Sequence, residues 1–295
     1  MKSINNDKHS EIIVRVPLHV SGLWFPSINK DPLYTGSLGA GINLSIYLEA
    51  RLEKENSKPR ILLNNKDVLR NHVEFLCREY SLCNSIRAYS PIGLGTGFGV
   101  SAACLIAYSI ISGIVQNKNV TLEKATWPAH VAEVYYKTGL GDVISEFYGG
   151  AEIRTKPGPP GIGSIEHILL KKNYEIIAVV LEGKEPTPIM LSRIKPEYYE
   201  KNKKLLEKLL NSPSLENFFE LAHEFTRGLF SYDGVTQLLN RIKNKTISYY
   251  RKKQALLILP EPEWIHDIIE NFESLGLRVF KTKISHVGVE IVYSP

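Results

Sequence analysis

Residues 90–103 read Ser90-Pro91-Ile92-Gly93-Leu94-Gly95-Thr96-Gly97-Phe98-Gly99-Val100-Ser101-Ala102-Ala103, and the rest of the chain is read from them. They follow a short strand pattern, Ser85 to Tyr89, and run straight into an apolar helical pattern, Val100 to Val115. Glycines at every second position from Gly93 to Gly99 let the backbone turn tightly and present its N–H groups. The helix adds the partial positive charge of its N-terminus, so the stretch from Pro91 to Ser101 has the build of a phosphate cradle. Ser101 has two readings: its hydroxyl binds a phosphate oxygen or a magnesium ion, or it caps the helix by accepting a backbone N–H bond.

Two common phosphate loops are excluded. A Walker A loop needs a lysine after its last glycine, and there is none between Arg87 and Lys118. A dinucleotide fingerprint needs GxGxxG spacing and an acid about twenty residues on, and both are missing.

Outward from the loop, Ile12 to Val20 and Gly41 to Leu52 read as strands, with Arg60 to Leu63 as a partner of the second. Asp67 to Tyr80 and Leu122 to Thr138 read as helices. The turn-rich Lys156-Pro-Gly-Pro-Pro-Gly-Ile-Gly-Ser164 precedes a boundary that divides the chain into lobes of residues 11–170 and 171–295. The second lobe reads as strand (Glu175 to Leu181), helices (Pro196 to Arg251), strand (Ala255 to Leu259), helix (Glu263 to Leu275) and strands (Arg278 to Lys283, Gly288 to Val292). That order implies an α+β sandwich.

Bulk properties narrow the function classes. A chain of 295 residues with 43% hydrophobic side chains is long enough for about two domains. The most apolar run, Ala102 to Val115, is broken by Ser109, Ser112 and Gly113 and is too short for a membrane span. The polar first ten residues lack a secretory apolar core, so a cytoplasmic protein with a disordered N-terminus is expected. A net charge of +5, mixed with 31 acids, favours small anionic ligands and argues against a nucleic-acid partner. Cys77, Cys83 and Cys104 form no CxxC pair and no even set, and all three are expected reduced.

Downstream, Glu133 lies on the second helix, and Gly139-Leu140-Gly141-Asp142 places an acid after a glycine turn. Phosphoryl transfer needs one carboxylate to help hold magnesium and another to orient or deprotonate the attacking hydroxyl. The competing readings are a surface charge for Glu133 and a helix N-cap for Asp142.

The loop from Pro91 through Gly97-Phe98-Gly99-Val100-Ser101-Ala102-Ala103, the helix glutamate, and Asp142 ahead of Gly149-Gly150 together resemble the motifs of GHMP kinases. The resemblance implies a two-lobed fold, with an N-terminal lobe like domain 2 of ribosomal protein S5 and a C-terminal ferredoxin-like α/β sandwich. It implies ATP on Pro91, Gly93, Gly95, Gly97, Gly99 and Ser101, with Mg²⁺ on Ser101 and Glu133. Asp142 would be the base or electrostatic anchor at the reacting hydroxyl, and homodimerisation is a family expectation.

Three further segments are similar to the pantoate kinase branch: Val16-Pro17-Leu18-His19-Val20-Ser21-Gly22-Leu23-Trp24-Phe25, Asp31 to Gly41, and Arg154 to Gly161. That likeness implies phosphorylation of the primary hydroxyl of pantoate to 4-phosphopantoate, on the archaeal route to coenzyme A. Arg154 would meet the substrate carboxylate, His19 and Ser37 would donate hydrogen bonds, and Trp24 or Phe25 would wall the gem-dimethyl carbon. The match departs at Pro17-Leu18, where Pro-Gly is usual, and in the C-terminal glycine motif, where only Lys283 to Gly288 stands. Two rivals remain: a GHMP kinase for a mevalonate- or homoserine-type substrate, and a catalytically silent nucleotide- or RNA-binding module on the same fold.

Overall fold

The computed structural model describes residues 11–53 and 58–294, so the first ten residues and their expected disorder lie outside the described residues. Two long antiparallel strands, β1 (Glu11–Ser27) and β2 (Gly36–Leu52), form the spine of an eight-stranded sheet. Both are longer than their alternation predicts. β1 bends at a bulge between Pro17 and Leu18, where the expected Pro-Gly is replaced, and again between Ser21 and Leu23.

The sheet continues through β3 (Arg60–Leu63), β4 (Lys66–Val68) and, after α1 (Arg70–Tyr80), β5 (Ser85–Tyr89). The partner of β2 is β5 rather than β3, which pairs in parallel with β5 one place further out. The loop then opens into α2 (Val100–Val115), whose apolar faces nearly all bury, as its composition requires. The helical pattern from Leu122 to Thr138 breaks at Thr126 into α3 (Leu122–Ala125) and α4 (Trp127–Tyr135), because Pro128 takes a first-turn position. Next come α5 (Asp142–Tyr148), β6 (Ala151–Lys156) and β7 (Ser164–His167), with the proline-glycine stretch as the turn of the β6–β7 hairpin.

A second, four-stranded antiparallel sheet follows. Its order is β11-β8-β10-β9, built from β8 (Glu175–Val180), α6 (Thr187–Ser192), α7 (Pro196–Asn211), α8 (Leu215–Thr226), α9 (Thr236–Arg241), β9 (Thr246–Lys252), β10 (Ala255–Pro260), α10 (Ile265–Glu273) and β11 (Arg278–Lys283). Residues 246–251, expected as helix, are strand: Thr246-Ile-Ser-Tyr-Tyr packs β-branched and aromatic side chains against β10. The last strand, β12 (Glu290–Ser294), leaves this sheet and pairs with β1.

The two sheets meet through α8 and β9. A Cβ at Gly22 would sit 2.5 Å from the Cβ of Ala222, so the bare glycine lets α8 lie directly on β1. The Tyr250 hydroxyl donates to the Val20 carbonyl at 2.9 Å. The reduced-cysteine expectation is corrected. Cys77 and Cys83 are joined by a disulfide, because the left-handed Ser81 after α1 turns the chain back on itself, while Cys104 is free and buried.

Candidate active site

The glycine loop lines one side of a cleft of about 290 Å³, from Leu94 to Ser101. Gly97 and Gly99 are required there. Gly97 has φ +97° and its Cβ would lie 2.3 Å from the Lys252 carbonyl, and Gly99 has φ +72° and would meet a Glu146 oxygen at 2.1 Å. Pro91 and Gly93 lie outside the lining: Pro91 accepts from Arg278, and Gly93 has open space where a Cβ would go.

Ser101 does not cap α2. Gly99 is the N-cap residue, and the Ser101 hydroxyl donates to Oε1 of Glu133 at 2.7 Å, as does that of Thr138. Glu133 is buried on α4 rather than a surface charge, and its Oε2 has no partner. Burial, then the charge of Asp142, push the Glu133 carboxyl up to about 7, although the Ser101 and Thr138 hydroxyls and Lys253 favour ionisation. Gly139 is needed because a Cβ would sit 1.9 Å from Glu133 Oε2, and the same position is 3.4 Å from Asp142 Oδ2, so the glycine makes room beside both acids.

Asp142 opens α5 but caps nothing. Its Oδ1 accepts from Nδ1 of His19 at 2.8 Å and faces Nζ of Lys252 at 3.5 Å. Burial opposes ionisation, but Lys252, His19 and Arg154 outweigh it and hold the Asp142 carboxyl well below the usual range. The residue lines both the loop cleft and a second, smaller cavity of about 40 Å³ bounded by Ser21, Trp24, Ser37, Leu140, Met190 and Lys252 among others.

His19 and Arg154, expected to donate to a substrate, stand behind that cavity. His19 is fully buried, and its Nε2 lies 3.0 Å from Oε1 of Glu152, so each ring nitrogen faces a carboxylate oxygen. Gly41 on β2 makes room, since a Cβ there would lie 2.2 Å from that nitrogen. Arg154, 1% exposed, pairs with Glu152 and donates to the Ser145 hydroxyl and the Leu23 carbonyl. A guanidinium so placed does not line either cavity. Ser37 and Trp24 do line the smaller one, whereas Phe25 packs in the core on Phe225 and Tyr199.

Sequence reasoning missed the far wall. Lys184, Thr187, Lys252 and Lys253 close the loop cleft from the second sheet's side. The segment from Lys283 to Gly288 does not line it and packs on α5 and β2 instead. Lys252 and Lys253 follow a stretch expected to be helix, and nothing local marks them as facing a glycine loop some 150 residues away. Oxygen donors at Ser101 and Glu133, one of them an unpartnered buried carboxylate oxygen, suit a hard divalent cation that takes its remaining ligands from phosphate and water. Among the described residues no three His, Cys, Asp or Glu side chains gather as a self-sufficient metal site, and no helix is long and apolar enough to cross a membrane.

Comparison with known proteins adds the following. No family model matches the chain. It is 33% identical over 215 residues to the pantoate kinase of Methanocaldococcus jannaschii, covering 71% of this chain and 77% of that protein. A solved phosphotransferase related to the CoA biosynthesis pathway superposes with a TM-score of 0.77 at 26% identity, over 96% of this chain and 99% of the other. The mevalonate kinase of Methanococcus jannaschii superposes with a TM-score of 0.66 at 14% identity, over 95% and 100%, a likeness of fold alone. The chain has the two-lobed α+β fold of the GHMP kinases.

Proposed function

The chain belongs to the pantoate kinase family: it is an ATP-dependent kinase that phosphorylates pantoate in coenzyme A biosynthesis, and we propose how its two cavities carry out the transfer. One observation supports the reading above the rest: Asp142 lines both the glycine-loop cleft and the smaller cavity. A kinase must bring a hydroxyl and a terminal phosphoryl group to one point, and this carboxylate stands where the two spaces join.

In this proposal the triphosphate lies along the loop, held by backbone N–H groups and the N-terminus of α2. Ser101 and Glu133 would hold Mg²⁺, which when bound neutralises charge on the phosphate oxygens. Pantoate is larger than the smaller cavity alone and spans from it to the cleft wall at Asp142, its gem-dimethyl carbon against Trp24, Leu140 and Met190, and its polar groups toward the Ser21 and Ser37 hydroxyls. Its primary hydroxyl meets Asp142.

A carboxylate held far below the usual range is a weak base, so Asp142 acts first by orienting the hydroxyl as a hydrogen-bond acceptor and takes the proton late in the transfer. His19 fixes which way Asp142 points, and Arg154 offsets the charge of Glu152 behind it. Both are therefore positioning residues in this scheme. The division into lobes of residues 11–170 and 171–295 is proposed with β12 as an exchange between them.

The deciding experiment is an ATP-consumption assay with D-pantoate beside mevalonate, homoserine and other small hydroxy acids, with the product identified by phosphorus NMR. The expected result is pantoate-dependent ADP release and a single primary phosphate ester. Release that ignores pantoate but follows another alcohol would overturn the substrate assignment, and phosphate on the secondary hydroxyl would overturn the placement of pantoate against Asp142.

A further inference from the structure

The glycine loop contains no cation of its own, since no lysine occurs between Arg87 and Lys118. A phosphate loop without one relies on backbone dipoles, which hold a triphosphate but leave much of the charge that builds up during transfer unneutralised. The fold brings lysines to the loop from the second sheet instead. Lys252 ends β9 and Lys253 forms the turn into β10, and both are buried, which is costly for an ammonium group without an anion to face.

The two lysines are placed differently. Lys253 donates to the Thr187 hydroxyl at 2.6 Å and lines only the loop cleft. Lys252 lines both cavities, with Nζ 3.5 Å from Asp142 Oδ1 and 6.0 Å from the centre of the Trp24 ring. Its backbone is pinned to the loop it faces. The Gln254 N–H donates to the Thr96 carbonyl at 3.1 Å, the Lys252 carbonyl packs on Gly97, and Tyr250 ties the same strand to Val20. An ammonium group fixed at the junction of a phosphate cleft and a hydroxyl pocket touches whatever passes between them.

We propose that Lys252 is a catalytic residue of the phosphoryl transfer, contacting the group in flight between ATP and the hydroxyl. This rests on the kinase reading above. The hydroxyl oxygen forms a bond to the γ-phosphorus while the bond from that phosphorus to the β,γ-bridging oxygen breaks, its electron pair leaving on ADP. The hydroxyl proton passes to Asp142. Lys252 exchanges no proton. It moves its hydrogen bonds from Asp142 to the oxygens of the transferring group, placing a full positive charge where the loop offers only dipoles.

The test is steady-state kinetics of the full chain with ATP and D-pantoate for wild type, Lys252→Met and Lys252→Arg at pH 6 and pH 8, with nucleotide binding followed by a fluorescent ATP analogue. Pantoate-dependent turnover by the wild type is a separate control, and its absence removes the kinase reading without reference to Lys252. The expected result for Lys252→Met is a loss of about 10²–10³-fold in kcat, with each KM changed by less than roughly threefold and the loss equal at both pH values. Lys252→Arg should recover part of it, and it carries the test alone if the methionine variant fails to bind nucleotide.

Three outcomes overturn the proposal. The first is kcat within twofold of wild type. The second is a loss confined to the KM for pantoate, which would make Lys252 a carboxylate holder. The third is a loss at pH 6 that is recovered at pH 8, which would mean that Lys252 serves only to keep Asp142 ionised.

Discussion

The glycine loop and the charge cluster around Asp142 meet at one cleft, where Asp142 and Lys252 represent the cluster, but the two are built in opposite ways. The loop is local: eight consecutive residues, Leu94 to Ser101, line the cleft, and in the proposed reading their backbone N–H groups do the binding, with Ser101 the one side chain turned to another site residue. The cluster is assembled from His19 on β1, Glu133 on α4, Asp142 and Glu146 on α5, Glu152 and Arg154 on β6, and Lys252 on β9. A backbone site tolerates changes of side chain but not of φ or of space, whereas a charge cluster tolerates small changes of shape but not of charge. Substitutions in the two regions should therefore fail in different ways.

The largest expected effect is in the cluster. Asp142→Asn keeps the shape and removes the charge, and should lower turnover by about 10²–10⁴-fold while nucleotide binding is mostly retained. Turnover and analogue binding measured on the same preparation check this, and a loss below tenfold would take Asp142 out of the reaction.

Within the loop, Gly97→Ala should do the reverse. A side chain at φ +97° with its Cβ 2.3 Å from a carbonyl oxygen is strained by about 1–3 kcal/mol, so the KM for ATP should rise and the melting temperature fall. A Gly97→Ala protein with unchanged stability and KM would show that the loop is not held as described.

Glu146 sharpens the comparison from the stability side. It is fully buried, neither oxygen has a hydrogen-bond partner, and burial followed by the charges of Asp142 and Glu133 raises its carboxyl well above the ordinary 4.5. The unfolded chain loses that proton near 4.5 and the folded one keeps it, so the residue withdraws stability as pH rises above 4.5. Glu146→Gln should be near neutral at pH 4.5 and stabilise by on the order of 1–3 kcal/mol at pH 8, read as melting temperature across that window. A gain that is the same at both ends of the window would mean that packing, not charge, sets the effect.

The smallest effect is expected at Gly93, where nothing lies within 4 Å of an added Cβ. Gly93→Ala should change stability by no more than about 0.5 kcal/mol and leave the KM for ATP near wild type. A large loss would extend the phosphate site beyond the cleft.

What could be read from the sequence follows the same division. The glycine spacing, the apolar run of α2 and the alternation in β1 and β2 are local patterns, and they predict a phosphate loop between a strand and a buried helix. Glu133 and Asp142 are candidates from the sequence because phosphoryl transfer needs two acids near such a loop, against a surface charge and an N-cap as competing readings. The fold buries the first beside Ser101 and sets the second on the cleft wall without a capping bond. The helix expected over residues 246–251 failed because its strand character depends on pairing with β10, and with it went Lys252 and Lys253.

Sequence by itself thus determined the elements and the chemistry available, since turn geometry, helix termini and side-chain charge are properties of short segments. Only the tertiary structure decided which charges face the cavities. It turned Arg154 and His19 inward onto Glu152 and Asp142, and it carried a lysine from β9 to the loop that lacks one. The reason is physical: a buried charge is placed by the partner that offsets its desolvation, and here those partners lie up to 133 residues apart in the chain.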